Sequence, residues 1–198
     1  LDTEIAFIED YNSVFYTSNY LYLKRQPYDK LFPIKTQFDF SIGYGNRTVD
    51  DSKENQTKLN LNSFKIFNLN NKNSIYIGLT AATLTSEAYF DNELFRFGGI
   101  NSIRGFDENS LTANLFSVLN TEYRYRVSNS LYVNSIIDAS YFENDILESK
   151  EKLFGFGFGF GLLTNAGLFR FNYSLGKTEN TTFKFSNSKV HLSLNAFF

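Results

Sequence analysis

Cysteine, tryptophan and methionine are absent from this chain of 198 residues, which has one histidine and two prolines. The lack of cysteine excludes a disulfide framework, thiolate chemistry and cysteine-based zinc sites. No apolar run reaches the roughly 18 residues that a membrane-spanning helix needs. The formal net charge of −2 is nearly balanced, so we expect no nucleic-acid partner. Without an initiator methionine, the chain is expected to begin at a processed or cut end.

Aromatic residues are abundant, with 23 phenylalanines and 13 tyrosines. Many of them recur at every second position, which is the period of a β-strand. The sets that share one predicted face are Tyr16, Tyr20 and Tyr22; Phe38, Phe40, Ile42 and Tyr44; Leu119, Tyr123, Tyr125 and Val127; Phe154, Phe156, Phe158 and Phe160; and Val190, Leu192, Leu194, Ala196 and Phe198. The opposite face carries glycine, serine, asparagine and charged side chains. The pattern therefore predicts antiparallel strands with one aromatic and one polar face.

The connections between these strands alternate in length. Short turns are predicted at 70–73, 128–130 and 164–167, and long loops at 46–56, 86–112, 142–152 and 177–188. Alternating short and long connections are typical of membrane β-barrels, whose strands need roughly 9–11 residues to cross the hydrocarbon layer. Because rings from every strand would overfill the lumen of a small barrel, we expect the aromatic face to contact lipid. The alternative is a soluble, lipocalin-like barrel with the aromatic face turned inward.

The strand count is left at about eight to ten. Nine segments are clear between Val14 and Phe198, and single-chain bacterial barrels have an even number of strands. Either Thr3–Glu9 adds a tenth strand or the first segment lies outside the wall. The predicted fold class is all-β: one domain over 1–198, a transmembrane antiparallel up-and-down β-barrel with a long loop folded into its lumen. Residues 1–13 are predicted to be an N-terminal extension or a short first strand, with a turn at Tyr11-Asn12-Ser13.

The longest loop contains a stretch rich in glycine around one arginine. It comprises Gly98, Gly99, Ser102, Arg104, Gly105 and Phe106. Glycine permits left-handed backbone conformations that other residues avoid. A long loop with apolar anchors and a single guanidinium fits a loop packed into a lumen, and the alternative is an ordinary glycine-rich surface loop.

This stretch, Gly-Gly-x-x-Ser-x-Arg-Gly-Phe, resembles the signature loop of the BamA/TamA insertase and two-partner-secretion transporter superfamily, also called the bacterial surface antigen family. The resemblance extends from Leu31-Phe32-Pro33, similar to a periplasmic turn of the family, to the terminal Phe198. It implies a bacterial outer-membrane barrel whose loop arginine contacts acidic residues of the inner wall, and it gives Phe198 the role of an assembly signal. The resemblance covers the C-terminal half of the family barrel, without its POTRA domains, so we expect little insertase activity from this chain alone.

Glu122 and Asp138 are the predicted partners of Arg104. Both carboxylates fall on the polar face of consecutive strands, and both match acidic positions of the family. The planar guanidinium suits a carboxylate that accepts two hydrogen bonds. The alternative is that Glu122 pairs with Arg124 or Arg126, or is hydrated. The glycine face of 155–161 is predicted to leave room for the loop.

No catalytic set, metal site or cofactor is predicted. His191 stands alone on the polar face of the last strand, which favours a residue lining the lumen over a ligand. The resemblance implies a short member of the superfamily that acts in assembly or translocation of outer-membrane proteins and is not an enzyme. The alternative is a small structural barrel or narrow pore, working as a homo-oligomer. Expected partners are the lipid bilayer, other outer-membrane proteins or a second copy.

Overall fold

The structure is a computed structural model that describes residues 11–49, 52–182 and 184–196. Alternating sequence and the scarcity of proline allow long strands to form, because proline cannot donate to a strand ladder. Residues 185–187 form one 3-10 turn. The strands are β1 (Tyr11–Arg25), β2 (Ile34–Val49), β3 (Ser52–Asn68), β4 (Asn73–Thr85), β5 (Phe95–Phe97), β6 (Leu111–Ala113), β7 (Leu115–Arg126), β8 (Leu131–Asn144), β9 (Ser149–Thr164), β10 (Gly167–Thr178) and β11 (Ser188–Asn195).

Nine of these strands form a single antiparallel sheet in the order β1-β2-β3-β4-β7-β8-β9-β10-β11. Consecutive wall strands are neighbours throughout, so the up-and-down architecture predicted from the sequence is confirmed. The short strands β5 and β6 pair separately within the long loop. In the described part of the chain β1 pairs only with β2 and β11 only with β10, and the sheet is not closed.

The two faces of the sheet have the predicted polarity. The outer face exposes Tyr16, Tyr123, Ile137, Phe158 and Leu192, among others. Most of the buried polar side chains belong to the opposite face, including Asn120, Glu122, Asn134, Asp138, Asn172 and His191. The long loop packs on this second face, which is therefore the inner one.

Two predicted loops are strands in the structure. β2 and β3 stay paired in register up to Val49 and Ser52, and β8 and β9 up to Asn144 and Ser149. The polar residues at 46–56 and 142–152 therefore extend the hairpins instead of ending them. Strand pairing needs only backbone groups, so it continues where the side chains have become polar. These four strands have 14–17 residues, and β1, β4, β7 and β10 have 12–15.

The first strand begins earlier than predicted, because Tyr11-Asn12-Ser13 belongs to β1 and pairs with β2 instead of forming a turn. The possible tenth strand at Thr3–Glu9 and the terminal Phe198 lie outside the described residues. The turns after β3, β7 and β9 are short, as predicted, and lie at the same end as the β1–β2 turn (residues 26–33). The described residues contain no helix of the length and apolarity needed to cross a membrane.

Candidate functional site

The signature loop, residues 86–112, owes its tight shape to three glycines. Gly98, Gly99 and Gly105 have φ values of 108°, 93° and 93°, in the left-handed region that a side chain disfavours. The Gly99 N–H donates to the Ile103 carbonyl at 3.1 Å, and the Ser102 N–H to the Gly99 carbonyl at 3.2 Å. These bonds close a compact turn that directs Arg104 toward the inner face of the sheet.

Arg104 reaches the two carboxylates named from the sequence. Its Nε donates to Asp138 Oδ2 at 2.8 Å, its Nη2 to Asp138 Oδ1 at 2.6 Å and its backbone N–H to Asp138 Oδ2 at 3.1 Å. Its Nη1 forms an ion pair with Glu122 Oε1. Arg104, Asp138 and Glu122 are only 4%, 1% and 6% exposed, so the charges are buried together.

Arg124 completes this buried cluster. Its Nε donates to Glu122 Oε2 at 2.7 Å, so Glu122 bridges two guanidinium groups. The sequence left open whether Glu122 pairs with the loop or with a neighbour on its strand, and the structure shows both. Two positive and two negative charges balance, as burial requires. Burial alone lowers the pKa of Arg104, but the two carboxylates outweigh it and hold that pKa above its usual value, so Arg104 stays charged.

The tip of the loop also lies against strand backbone. A Cβ atom on Gly155 would collide with the Arg104 carbonyl, and one on Gly176 would collide with the Gly105 carbonyl. The glycine face of β9 was predicted to give the loop room, and Gly155 does so. Gly157, Gly159 and Gly161 instead leave space for neighbouring parts of the wall: Ser174, Asn172 and the Tyr132 ring. The contact of Gly176, on β10, with the loop is not predicted from the sequence.

Three further wall side chains bind the tip, and sequence reasoning did not assign them to it. His191 Nε2 accepts the Gly105 N–H at 3.2 Å, Asn120 Nδ2 donates to the Ser102 carbonyl at 2.8 Å, and Arg170 Nη2 donates to Asn101 Oδ1 at 3.0 Å. The alternation of the sequence correctly places His191 and Arg170 on the polar face. It cannot show that the loop tip reaches across the lumen to bind them.

A second arginine holds the base of the loop at the opposite end of the sheet from the short turns. Arg47, 2% exposed, donates to Glu93 Oε2 at 2.7 Å and to the Ala88 carbonyl at 3.2 Å, and forms an ion pair with Glu54. Its guanidinium stacks 4.4 Å from the Phe90 ring centroid. These contacts lie on the part of the β2–β3 hairpin where the sequence predicted a loop.

Between base and tip, the loop packs through a hydrophobic cluster on the inner face. Phe97 stacks on Phe116 with ring centroids 4.6 Å apart and meets Phe142 edge-on at 5.5 Å. Phe106 of the signature motif packs against the same cluster. The buried members are Ala82, Phe97, Ile103, Ala113, Phe116, Val118, Phe142 and Leu153. This part of the lumen is therefore filled by apolar contacts.

Below the tip remains a cavity of about 290 Å³. Most of its lining is amide, hydroxyl and guanidinium: Gln37, Asn62, Phe64, Tyr76, Thr80, Ile100, Asn101, Arg104, Asn120, Glu122, Arg124 and Arg170. Within the described residues no group of three or more histidine, aspartate or glutamate side chains could hold a metal ion. The arrangement is suited to holding a loop in place and to forming hydrogen bonds with a polar chain.

Comparison with known families agrees with this architecture. The sequence profile of the family described as "Haemolysin secretion/activation protein ShlB/FhaC/HecB" matches residues 29–162, more than half of the chain. The match runs from the β1–β2 turn through the signature loop into β9. No match was found among curated proteins. The nine-stranded antiparallel sheet, its exposed aromatic face and the profile match together show that the chain belongs to the ShlB/FhaC/HecB family, outer-membrane β-barrel transporters of two-partner secretion within the Omp85 superfamily.

Proposed function

We propose that this chain forms the wall of a polypeptide-conducting channel in the outer membrane, and that the signature loop is its removable plug. The observation that carries the proposal is the buried contact of Arg104 with Asp138 and Glu122. Family membership supports transport in general, since its members are secretion transporters and not enzymes.

The contacts of the loop support a plug that can be removed without unfolding the wall. Its tip is held by polar contacts to side chains of the wall and by packing of Ile103 and Phe106 in the apolar cluster, and Arg104 makes no strand-ladder hydrogen bond. A lumen lined by amides and hydroxyls can hold water. That water would hydrate the carboxylates of Asp138 and Glu122 when the loop departs. Lipid would cover the outer face, where Phe158 and Leu192 are 60% and 61% exposed.

The plug is tested by conductance in planar lipid bilayers. Arg104→Ala removes the cation that both carboxylates hold, so we expect larger or more frequent open events than in the unmodified protein. Arg96→Ala is the matched control, because Arg96 is an exposed arginine of the same loop. Equal conductance of Arg104→Ala and the unmodified protein would contradict a plugging role.

Assembly of other outer-membrane proteins is a second candidate, and one observation favours it. In the described part of the chain one edge of β1 and one edge of β11 lack a pairing strand, and hydrocarbon does not tolerate unpaired backbone groups. We propose that these edges can pair with a strand of a second copy or of a client barrel. Folding of a purified client barrel should be faster in liposomes that contain this protein than in empty liposomes. Equal folding rates would contradict a role in assembly.

A further inference from the structure

The Leu31–Phe32 segment of the β1–β2 turn folds onto the inner face of the sheet, while Tyr28 at the tip of the turn stays fully exposed. Leu31 and Phe32 are 1% and 8% exposed and pack with Ile66 and Tyr132. The turn is preshaped by Asp29, whose Oδ1 accepts the N–H groups of Leu31 and Phe32 at 3.1 Å each. Its other carboxylate oxygen forms an ion pair with Arg126 on the wall. The turn therefore covers the inner face at the end opposite the base of the signature loop.

Arg124 lies between this turn and the cluster that holds the loop tip. Its guanidinium carbon is 4.2 Å from the Tyr76 ring centroid, 5.0 Å from that of Phe32 and 5.6 Å from that of Tyr132. Its Nε donates to Glu122, which in turn accepts from Arg104. A continuous path of direct contacts thus runs from Phe32 through Arg124 and Glu122 to Arg104.

We propose that the β1–β2 turn and the tip of the signature loop are coupled gates, with Arg124 as the positioning residue that links them. Burying the Arg124 guanidinium carries a large desolvation cost. Packing of the turn alone does not require a cation at the edge of the apolar cluster, so we assign the cation a linking role. Phe32 and the two tyrosines lower that cost by presenting ring faces to the cation. When the turn leaves, Arg124 loses one ring and gains water, so it holds Glu122 less firmly and Arg104 loses an oriented partner.

The coupling must act in both directions, because a coupling free energy is reciprocal. Displacing the turn loosens the loop tip, and displacing the tip loosens the turn. A chain entering the lumen from the side of the turns would meet the turn first. Its arrival would then weaken the hold on the loop several residues away, without touching the loop.

Single-thiol labelling of the full chain tests this proposal, and the native sequence contains no competing cysteine. Ile103→Cys places a thiol at the loop tip, where the native side chain is 0% exposed, and Leu31→Cys places one in the turn. The rate of reaction with a water-soluble maleimide in detergent micelles reports how often each segment undocks. Asn92→Cys, at an exposed loop position, gives the rate of a freely accessible thiol.

Phe32→Leu keeps the apolar burial and removes the ring. We expect it to raise the labelling rate of the thiol at position 103 roughly two- to thirtyfold, the range that cation–π contacts span from exposed to desolvated sites. Phe38→Leu is the matched control, since Phe38 is a ring of β2 on the outer face, and should leave that rate unchanged. In a Glu122→Gln background Phe32→Leu should add little, because the link is already cut. Arg104→Ala should raise labelling at position 31.

Two results would overturn the proposal. One is a Phe32→Leu variant in which the thiol at position 31 reacts faster while the one at position 103 does not, which would make the turn a packing element only. The other is a Phe32→Leu effect that persists in full in the Glu122→Gln background, which would remove Arg124 and Glu122 from the route. Heat-modifiable gel mobility checks folding of each variant. Because labelling needs no transport, this outcome is separate from that of the conductance test.

Discussion

Among single residues, the two carboxylates that hold Arg104 are not equivalent. Asp138 uses both oxygens for Arg104 and also accepts its backbone N–H. Glu122 divides its oxygens between Arg104 and Arg124. Asp138 therefore fixes both the position and the orientation of the guanidinium, whereas Glu122 connects it to the rest of the lumen.

Arg104→Ala and Asp138→Ala are expected to loosen the loop to a similar extent. Removing one member of a buried ion pair costs on the order of 3–5 kcal/mol, and less where water can enter. Protease nicking between Tyr89 and Leu111 should rise in both variants. The double variant should be less destabilised than the sum of the two, because neither partner is then left unpaired.

Arg104→Lys is the control for geometry, since an ammonium group keeps the charge but cannot make the bidentate contact with the Asp138 carboxylate. Relative to Arg104→Ala, it should restore the resistance of the loop to protease only in part. Strictly additive effects of the two alanine substitutions would show that Arg104 and Asp138 do not interact.

At the scale of secondary-structure elements, β9 combines an outer phenylalanine face with an inner glycine face. Phe160 stacks on Phe171 of β10 with ring centroids 5.3 Å apart, and Gly155 lets the Arg104 carbonyl approach the strand. One strand thus supplies both a surface for lipid and a backbone surface for the loop.

Gly155→Ala is expected to undock the loop tip, because the added Cβ would occupy the place of the Arg104 carbonyl. Maleimide labelling of a thiol at position 103 should increase. Gly43→Ala is the control, since the nearest atom to its added Cβ is the rotatable Thr17 hydroxyl at 3.3 Å. A labelling rate as slow as in the parent would show that the loop does not need this contact.

The elements also show what the sequence could and could not predict. Period-two alternation identified the faces of β2, β7, β8 and β11 because burial on one face imposes it. The sequence predicts a loop around Arg47 and Gln56, where the structure has the paired end of the β2–β3 hairpin, because the polarity of these residues reflects binding to Glu93 and not a lack of pairing. The inward fold of Leu31 and Phe32 was also missed, because Pro33 indicates a turn but not the side on which it lies.

At the scale of the whole molecule, the sheet is a boundary between two environments. Its outer face is suited to hydrocarbon, and its inner face is covered at one end by the signature loop and at the other by the β1–β2 turn. The two coverings differ in chemistry. The loop tip is held by buried charges beside an apolar cluster. The turn is held by rings packed around the Arg124 cation and by the Asp29–Arg126 ion pair.

Phe158→Arg should destabilise the protein in lipid vesicles by about 2–4 kcal/mol, the cost of a cation on the lipid face near the bilayer midplane. Asn62→Arg is the control, because Asn62 lies on the inner face and lines the cavity. Urea unfolding in vesicles measures both free energies. Equal effects of the two substitutions would contradict the assignment of the outer face to lipid.

The signature loop also constrains the order in which the parts of the protein can fold. The wall residues that bind its tip, namely Asn120, Glu122, Asp138, Arg170 and His191, all follow the loop in the chain, whereas its base is held by Arg47, which precedes it. During synthesis or insertion from the N-terminus, the base can dock first, but Arg104 has no binding surface until β7 and β8 are paired. His191, on β11, is the last of these residues to arrive. Docking of the tip is therefore a late, long-range event that marks completion of the C-terminal wall, and an unfinished wall would leave the tip undocked.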